Sequence, residues 1–470
     1  MTPSPQRGRH AATTKPLRTE FRRWPHPHHA RPRPAAGPRR RLATAGLGAI
    51  AVTGVTTLAL TSAAPAFASS AHAATATSAT SAAASHQRGQ LVSVTPLRSL
   101  PTAAAVRAEL TGDKFDASSV RYGIRSYRLV YRTVDSFGRP TTASGLMVLP
   151  DRGVRQLTVV SYDHGTESYR GDAPSESPTG SEPAPAYTFA SAGFAAAAPD
   201  YLGLGTGPGL HPYLDLPSET TATLDMLRAV RRYEAGHGVT LHRDVLATGF
   251  SQGASAALGL GRALAHGADP YFRIGAQAPI SGAYDLPGAE VPAVLNGDLI
   301  RLNPDHQLGQ KYTVLYAAFG LVGLNRVHRF YTSPSQLFQA PYAGTIETLL
   351  DGNHTGDQLF AGTPDRLSQL LTPRGYALFR HPTGALATAL RIDSSECNWA
   401  PRVPTRLYYA TGDEQAVNAN TFHCQAAFTA HGAAVPQVNL GTPDYAGSRH
   451  SGSGEAGTAQ IVRWFSELTR

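Results

Sequence analysis

Val245-Leu246-Ala247-Thr248-Gly249-Phe250-Ser251-Gln252-Gly253 runs from an apolar, strand-like stretch through a tight turn into an alanine-rich segment that favours helix. Glycine two residues either side of a serine is what a sharp strand-to-helix turn requires, and such a turn holds the hydroxyl exposed at a helix N-terminus. Gly-x-Ser-x-Gly alone is a weak signal in a chain this rich in glycine and serine. Its context strengthens it. The match occurs once, at the required junction, and an acid and a histidine follow in the order nucleophile, acid, base.

The acid candidate lies in Tyr408-Tyr409-Ala410-Thr411-Gly412-Asp413-Glu414-Gln415. Asp413 follows a strand-like run at the sheet edge that would also carry the serine. Glu414 is the weaker neighbour, and a capping role for Asp413 at the helix expected over 416–431 is the bland alternative. Of the three histidines beyond it, His423 and His431 fall in that helix. His450 lies in Gly447-Ser448-Arg449-His450-Ser451-Gly452, read as a loop between the last strand and a C-terminal helix from about Glu455 to Leu468. A base there reaches the Ser251 hydroxyl while Asp413 holds its other ring nitrogen. Charge developing on a substrate carbonyl oxygen needs backbone donors. One is the N–H of Gln252. The second is expected from Tyr162-Asp163-His164-Gly165-Thr166, with the Gly165–Thr166 backbone favoured and the Asp163 side chain as an alternative.

Around these residues the pattern is that of an α/β protein. Residues 126–134 and 142–149 form an N-terminal hairpin across Asp135-Ser136-Phe137-Gly138. Leu157-Thr158-Val159-Val160-Ser161, 194–198, the run before Ser251, 274–280, 406–410 and 435–440 read as further strands, several of them continuous apolar runs suited to burial on both faces. Helical spacing over 217–233 introduces the Ser251 strand. The alternation implies a mostly parallel, doubly wound sheet. It stops between about Gly288 and Ser395, where Leu315, Phe319, Leu321, Leu349, Leu350, Leu367, Leu370 and Leu371 recur at roughly helical spacing. A segment this long exceeds any single crossover and reads as an inserted helical cap over the strand C-terminal ends, where such sheets bind ligands. The expected organisation is a leader over 1–73, a flexible linker over 74–90, a core over 91–287, the cap over 288–395 and the remainder of the core over 396–470.

The leader reading rests on Arg39-Arg40-Arg41, an uncharged stretch from Leu42 to Leu60, and the small-x-small sites Ala66-Phe67-Ala68 and Ala71-His72-Ala73. A membrane anchor is the alternative, and the export route stays open. The whole chain carries +9, but residues 1–73 hold 11 of its 42 Lys/Arg and one of its 33 acids. The 31 basic and 32 acidic side chains that remain give a nearly neutral mature protein, which disfavours nucleic acid as a partner. The only two cysteines, Cys397 and Cys424, suit one disulfide in an oxidising compartment, and their spacing suits no zinc site. Gly203-Leu204-Gly205-Thr206-Gly207 lacks dinucleotide-loop spacing and reads as a structural loop beside the cleft.

Tyr-Asp-His-Gly-Thr, Pro199-Asp200-Tyr201-Leu202-Gly203-Leu204-Gly205, His211-Pro212-Tyr213, Gly-Phe-Ser-Gln-Gly and the long insertion before the acid together resemble the secretory lipase family of α/β-hydrolases, the fungal lipase A type and its bacterial relatives. The resemblance covers most of 90–470. It implies an α/β-hydrolase fold, hydrolysis of carboxylic esters including acylglycerols, and a triad matched here by Ser251, Asp413 and His450, with a cap over the acyl pocket. The expectation is a secreted serine esterase or lipase acting on a small-molecule or lipid ester, with transient contact at lipid interfaces and no metal or organic cofactor. Two rivals are carried. A serine exopeptidase would need an acid for a substrate amino terminus, with Asp351, Asp357 and Asp365 of the cap as candidates; a non-catalytic binding protein would show a broken triad.

Overall fold

The computed structural model describes residues 87–470, so the leader and most of the linker lie outside the described residues. Arg88 already pairs with the buried Asp225, and Gly89 and Gln90 bond to Arg132, so the fold begins a few residues before the expected boundary. Strand β1 (Leu91–Leu100) leads to helix α1 (Ala103–Gly112) and the hairpin of β2 (Ile124–Val134) and β3 (Pro140–Pro150). Then follow β4 (Gln156–Asp163), α2 (Ala184–Ala192), β5 (Ala195–Pro199), α3 (Leu216–Gly236), β6 (Thr240–Phe250), α4 (Gln252–Ala265) and β7 (Arg273–Ile280). Beyond the insertion come β8 (Leu407–Tyr409), a helix over Ala419–Ala430, β9 (Gln437–Asn439) and a last helix over Arg449–Leu468.

The nine strands form one sheet in the order β1-β2-β3-β5-β4-β6-β7-β8-β9. The first three junctions are antiparallel and the remaining five parallel. Apolar runs in the central strands are continuous because both faces are covered. Val160, Leu246 and Ala278 pack beneath α1, α2 and the last helix, whereas Val159, Val245 and Ala247 pack beneath α3 and α4. Such a sheet brings β4, β6 and β8 to a common C-terminal edge, where α/β folds place their ligands.

Between β7 and β8 lies a run of helices with a core of its own, in which Leu315, Phe319, Leu321, Leu350, Leu367, Leu370 and Leu371 are buried. Its longest member is α5 (His306–His328), capped by Asp305, whose side chain accepts from Gln307 N and Leu308 N. Arg326 of α5 donates to the carbonyls of His211 and Leu350, tying the insertion to a core loop, and the Phe319 ring stacks 4.0 Å from Tyr213.

Two expectations need correction. The helix after Asp413, labelled α6, starts at Ala419 rather than 416 and ends at Ala430, because Gln415 N and Ala416 N are taken by the Asp413 side chain. His450 is not in a loop. The last helix, α7, begins at Arg449 and is N-capped by Ser448, whose side chain accepts from Ser451 N, so His450 stands in its first turn. The glycines that hide this helix are there for clearance. A Cβ at Gly452 would lie 2.7 Å from the Pro443 backbone, and one at Gly457 would lie 2.8 Å from Ile280.

Cys397 and Cys424 form a disulfide that joins the exit of the insertion to α6, packed against Trp399 and Phe428. A crosslink closing a 27-residue span stabilises by about 3 kcal/mol in the chain-entropy view. Thiol titration of the denatured, unreduced protein is expected to find no free thiol, and reduction is expected to lower the unfolding midpoint; two reactive thiols would refute the bridge.

Candidate active site

The turn at Ser251 is dictated by crowding. A Cβ at Gly253 would sit 2.0 Å from the Asp163 carbonyl oxygen, and one at Gly249 would sit 2.1 Å from the Gly253 carbonyl oxygen. Only glycines let β6 turn into α4 this close to the end of β4. Ser251 absorbs the remaining bend with φ 57° and ψ −121°, a conformation that costs a non-glycine residue about 1–3 kcal/mol. Neighbouring hydrogen bonds hold it there, with Ser251 N donating to Ile280 O and Ala254 N donating to Ser251 O, each at 2.9 Å.

His450 Nδ1 lies 2.9 Å from each carboxyl oxygen of Asp413, and its Nε2 accepts from the Ser251 hydroxyl at 2.8 Å. The carboxyl on Nδ1 fixes the tautomer that leaves Nε2 free to accept. Asp413 is fully buried and also receives Gln415 N and Ala416 N at 2.9 Å. Glu414 turns the other way. It accepts from Ser448 Oγ at 2.5 Å and from His450 N, so it braces the first turn of α7 instead of joining the histidine ring. Burial pulls the His450 pKa down, but the charge of Asp413 and its hydrogen bond outweigh this and hold the imidazole above its ordinary value. His423 is paired with Asp285 and partly exposed, and His431 bonds only to the Ala427 carbonyl; neither approaches Ser251.

As the first residue of α4, Gln252 has a backbone N–H without an intrahelical acceptor. Gly165 packs against the same spot, since a Cβ there would lie 3.5 Å from Ser251 Cβ. Thr166 lines the cavities on both sides of Ser251 and bonds through its hydroxyl to Tyr213. The Asp163 carboxyl points elsewhere, accepting from Thr223 Oγ1 at 2.6 Å, and burial raises its pKa to about 8. It lines neither cavity.

Two cavities meet at Ser251. One, of about 150 Å³, is lined by His450, Phe115, Tyr445, Glu167, Glu182 and Glu455 among others, with no lysine or arginine in its wall. Burial, then the charges of Glu182 and Asp172, push Glu167 well above the usual carboxyl range. The other, of about 80 Å³, runs into the insertion between Leu286, Val294, Leu321, Leu324, Phe379 and Leu390. Its one acid, Glu290, is occupied, accepting from Val417 N and Asn420 Nδ2. The cap acids Asp351, Asp357 and Asp365 line neither cavity, and Asp365 is spent on Lys311 at the surface. Sequence reasoning missed the lining glutamates, because they come from three separate segments and share no motif.

Solved structures resemble this chain over most of its described length. The rice cell wall degrading esterase LipA from Xanthomonas oryzae is 26% identical, with a TM-score of 0.67 over 81% of this chain and 98% of that chain. A candidate hydrolase from Legionella pneumophila is 23% identical, with a TM-score of 0.70 over the same shares. Candida antarctica lipase A is 18% identical, with a TM-score of 0.52 over 75% of this chain and 76% of that chain, and shares the fold. No protein-family model and no curated protein sequence matches the chain.

If Ser251 and His450 act as one unit, Ser251→Ala is expected to lower kcat by about a million-fold while leaving the fold intact; more than a tenth of wild-type turnover in purified mutant would refute the assignment. A base must be neutral to accept the serine proton, and the His450 pKa is raised. Activity is therefore expected to rise with pH through an apparent pKa above the ordinary histidine value of about 6.5. A kcat/KM profile with its acid limb below that value contradicts the geometry.

Proposed function

We propose that this chain, a lipase-A-like α/β-hydrolase, is a secreted serine hydrolase that cleaves carboxylic esters through an acyl-enzyme. The Ser251–His450–Asp413 constellation carries the reading, at 2.8 and 2.9 Å, with every member buried or half-buried at the sheet's C-terminal edge. Ser251 Oγ attacks the carbonyl carbon as His450 Nε2 takes its proton, and Asp413 stabilises the imidazolium. The Gln252 N–H and the Gly165–Thr166 backbone receive the oxyanion. Collapse of the tetrahedral intermediate expels the alcohol, protonated by His450; water then repeats the sequence and releases the acid. Its structural neighbours are esterases and lipases, which supports ester chemistry. Export is supported by the leader-like N-terminus and the disulfide.

The leaving alcohol must lie where the histidine can protonate it, so the cavity that includes His450 takes the alcohol and the apolar cavity takes the acyl chain. This arrangement disfavours the exopeptidase reading. An amino-terminal substrate carries its ammonium on the acyl side, where Glu290 is already committed to Val417 and Asn420. Nitrophenyl esters from acetate to palmitate, assayed beside aminoacyl anilides, test the reading; turnover of the anilides alone would overturn it.

Gly320, in the middle of α5, lines the apolar cavity, and a Cβ there would meet nothing within 4 Å. Gly320→Leu is expected to fill that space, leaving acetate hydrolysis within about twofold and lowering octanoate and palmitate hydrolysis by tenfold or more, since a filled pocket discriminates by about 1–3 kcal/mol per blocked group. An unchanged chain-length ranking would remove the cavity from the acyl path. The alcohol side gives a further expectation, which rests on Glu182 and Glu455, because Glu167 is held well above the usual carboxyl range. A phenyl ester bearing a sulfonate on the phenol should be cleaved about tenfold less efficiently than its neutral isostere, with the gap narrowing at high salt. Equal rates at low ionic strength would contradict the assignment.

A further inference from the structure

Behind Ser251 the side chain of Gln252 is buried, and both hydrogens of its amide are used. Gln252 Nε2 donates to Glu219 Oε1 at 2.6 Å and to His211 Nε2 at 3.1 Å. The second bond requires a neutral imidazole protonated at Nδ1. The structure supplies both conditions: His211 Nδ1 donates to the Leu202 carbonyl at 2.9 Å, and burial pushes the His211 pKa down to about 3. Glu219 stands in the first turn of α3, fully buried, and burial raises its pKa to about 8. Two elements remote in sequence thus grip the residue next to the nucleophile.

The grip on His211 is itself built into the fold. Its carbonyl receives the Arg326 guanidinium of α5, and its backbone N–H passes so close to Gly203 that a Cβ there would sit 2.2 Å away. Gly205 in turn lies against the Asp200 carboxyl, where a Cβ would be 2.2 Å from Oδ2. The same loop reaches the other side of the site. Tyr201 OH donates to the His164 carbonyl at 3.0 Å, and Tyr213 OH and Thr166 Oγ1 are hydrogen-bonded at 2.9 Å. Gly203, Gly205, His211 and Tyr213, which the triad does not use, are explained as parts of this support.

We propose that Glu219 and His211 are positioning residues which, by binding both amide hydrogens of Gln252, hold its backbone N–H aimed at the oxyanion. This rests on the reading of Ser251 as nucleophile and of the Gln252 N–H as a donor. The physical need is specific. Ser251 has the φ of a strained turn, and residue 252 must enter a regular helix immediately after it. A free side chain at 252 would let the first turn of α4 relax, and a donor displaced by a few tenths of an ångström stabilises a developing charge poorly.

Gln252→Ala removes the side chain and leaves the backbone donor in place. Deleting an oxyanion donor outright costs about 100–1000-fold in kcat, so misaligning one is expected to cost about 10–100-fold, with KM changed less than twofold. Affinity for a trifluoromethyl ketone that mimics the tetrahedral state should fall in the same ratio as kcat/KM. Glu219→Leu should have a similar effect, the double variant should be no worse than Gln252→Ala alone, and Glu219→Gln, which keeps the acceptor oxygen, should restore kcat to within about threefold of wild type. Gln252→Met, of similar length with no donor, replaces Gln252→Ala if the latter melts below assay temperature. The proposal is overturned if kcat stays within twofold in the folded Gln252 variant, if the losses add in the double variant, or if KM rises while affinity for the ketone is unchanged. Wild-type enzyme that hydrolyses no ester overturns the functional reading and this proposal with it; an active wild type with indifferent Gln252 and Glu219 variants overturns this proposal alone.

Discussion

The site depends on a steric fact: the Gly253 backbone passes so near the Asp163 carbonyl that no side chain fits between them. Close approach of β4 to the β6–α4 turn sets the position of the serine, brings the Gly165–Thr166 loop beside it, and makes the first N–H of α4 available in the same space. Nothing softer would do. A looser turn would lower the strain at Ser251 and lose the alignment of its hydroxyl with the first N–H of α4.

Asp413 and His450 arrive from the far half of the sheet, and their placement is cross-tied to the insertion. Glu290, at the entrance to the insertion, accepts from Val417 N and Asn420, just beyond Asp413. Tyr316 of α5 donates to the side chain of Gln415, which also bonds Ser448. The helices that line the apolar cavity are therefore joined through short polar links to the segments that hold Asp413 and His450. Shape of the pocket and alignment of the triad are properties of one packed unit.

Much of this was legible in the sequence, and the exceptions have physical causes. The Ser251 turn announces itself because glycine is required at fixed spacing, and the parallel strands do because burial on both faces leaves uninterrupted apolar runs. The start of α7 was hidden. Ser448 to Gly454 have poor helix propensity, yet Ser448 caps the helix, and Gly452 and Gly457 are demanded by contacts with Pro443 and Ile280; tertiary packing outweighs local preference. Glu219 was equally silent. An acid in the first turn of a helix is an ordinary preference of the helix dipole, and only the fold reveals that this one faces Gln252. Residues that act through chain neighbours leave a pattern, whereas residues that meet only in space leave none.

The serine and its base are 199 residues apart in sequence, with the whole insertion between them. A chain delivered vectorially, N-terminus first, carries a complete Gly-x-Ser-x-Gly turn and its strands long before α7 emerges. Until then the hydroxyl has no acceptor for its proton, and it is no more reactive than any other serine alcohol. The order of elements along the polypeptide thus leaves the Ser251 turn complete before its partner exists in the chain, and the constellation assembles only when the first turn of α7 packs back against it.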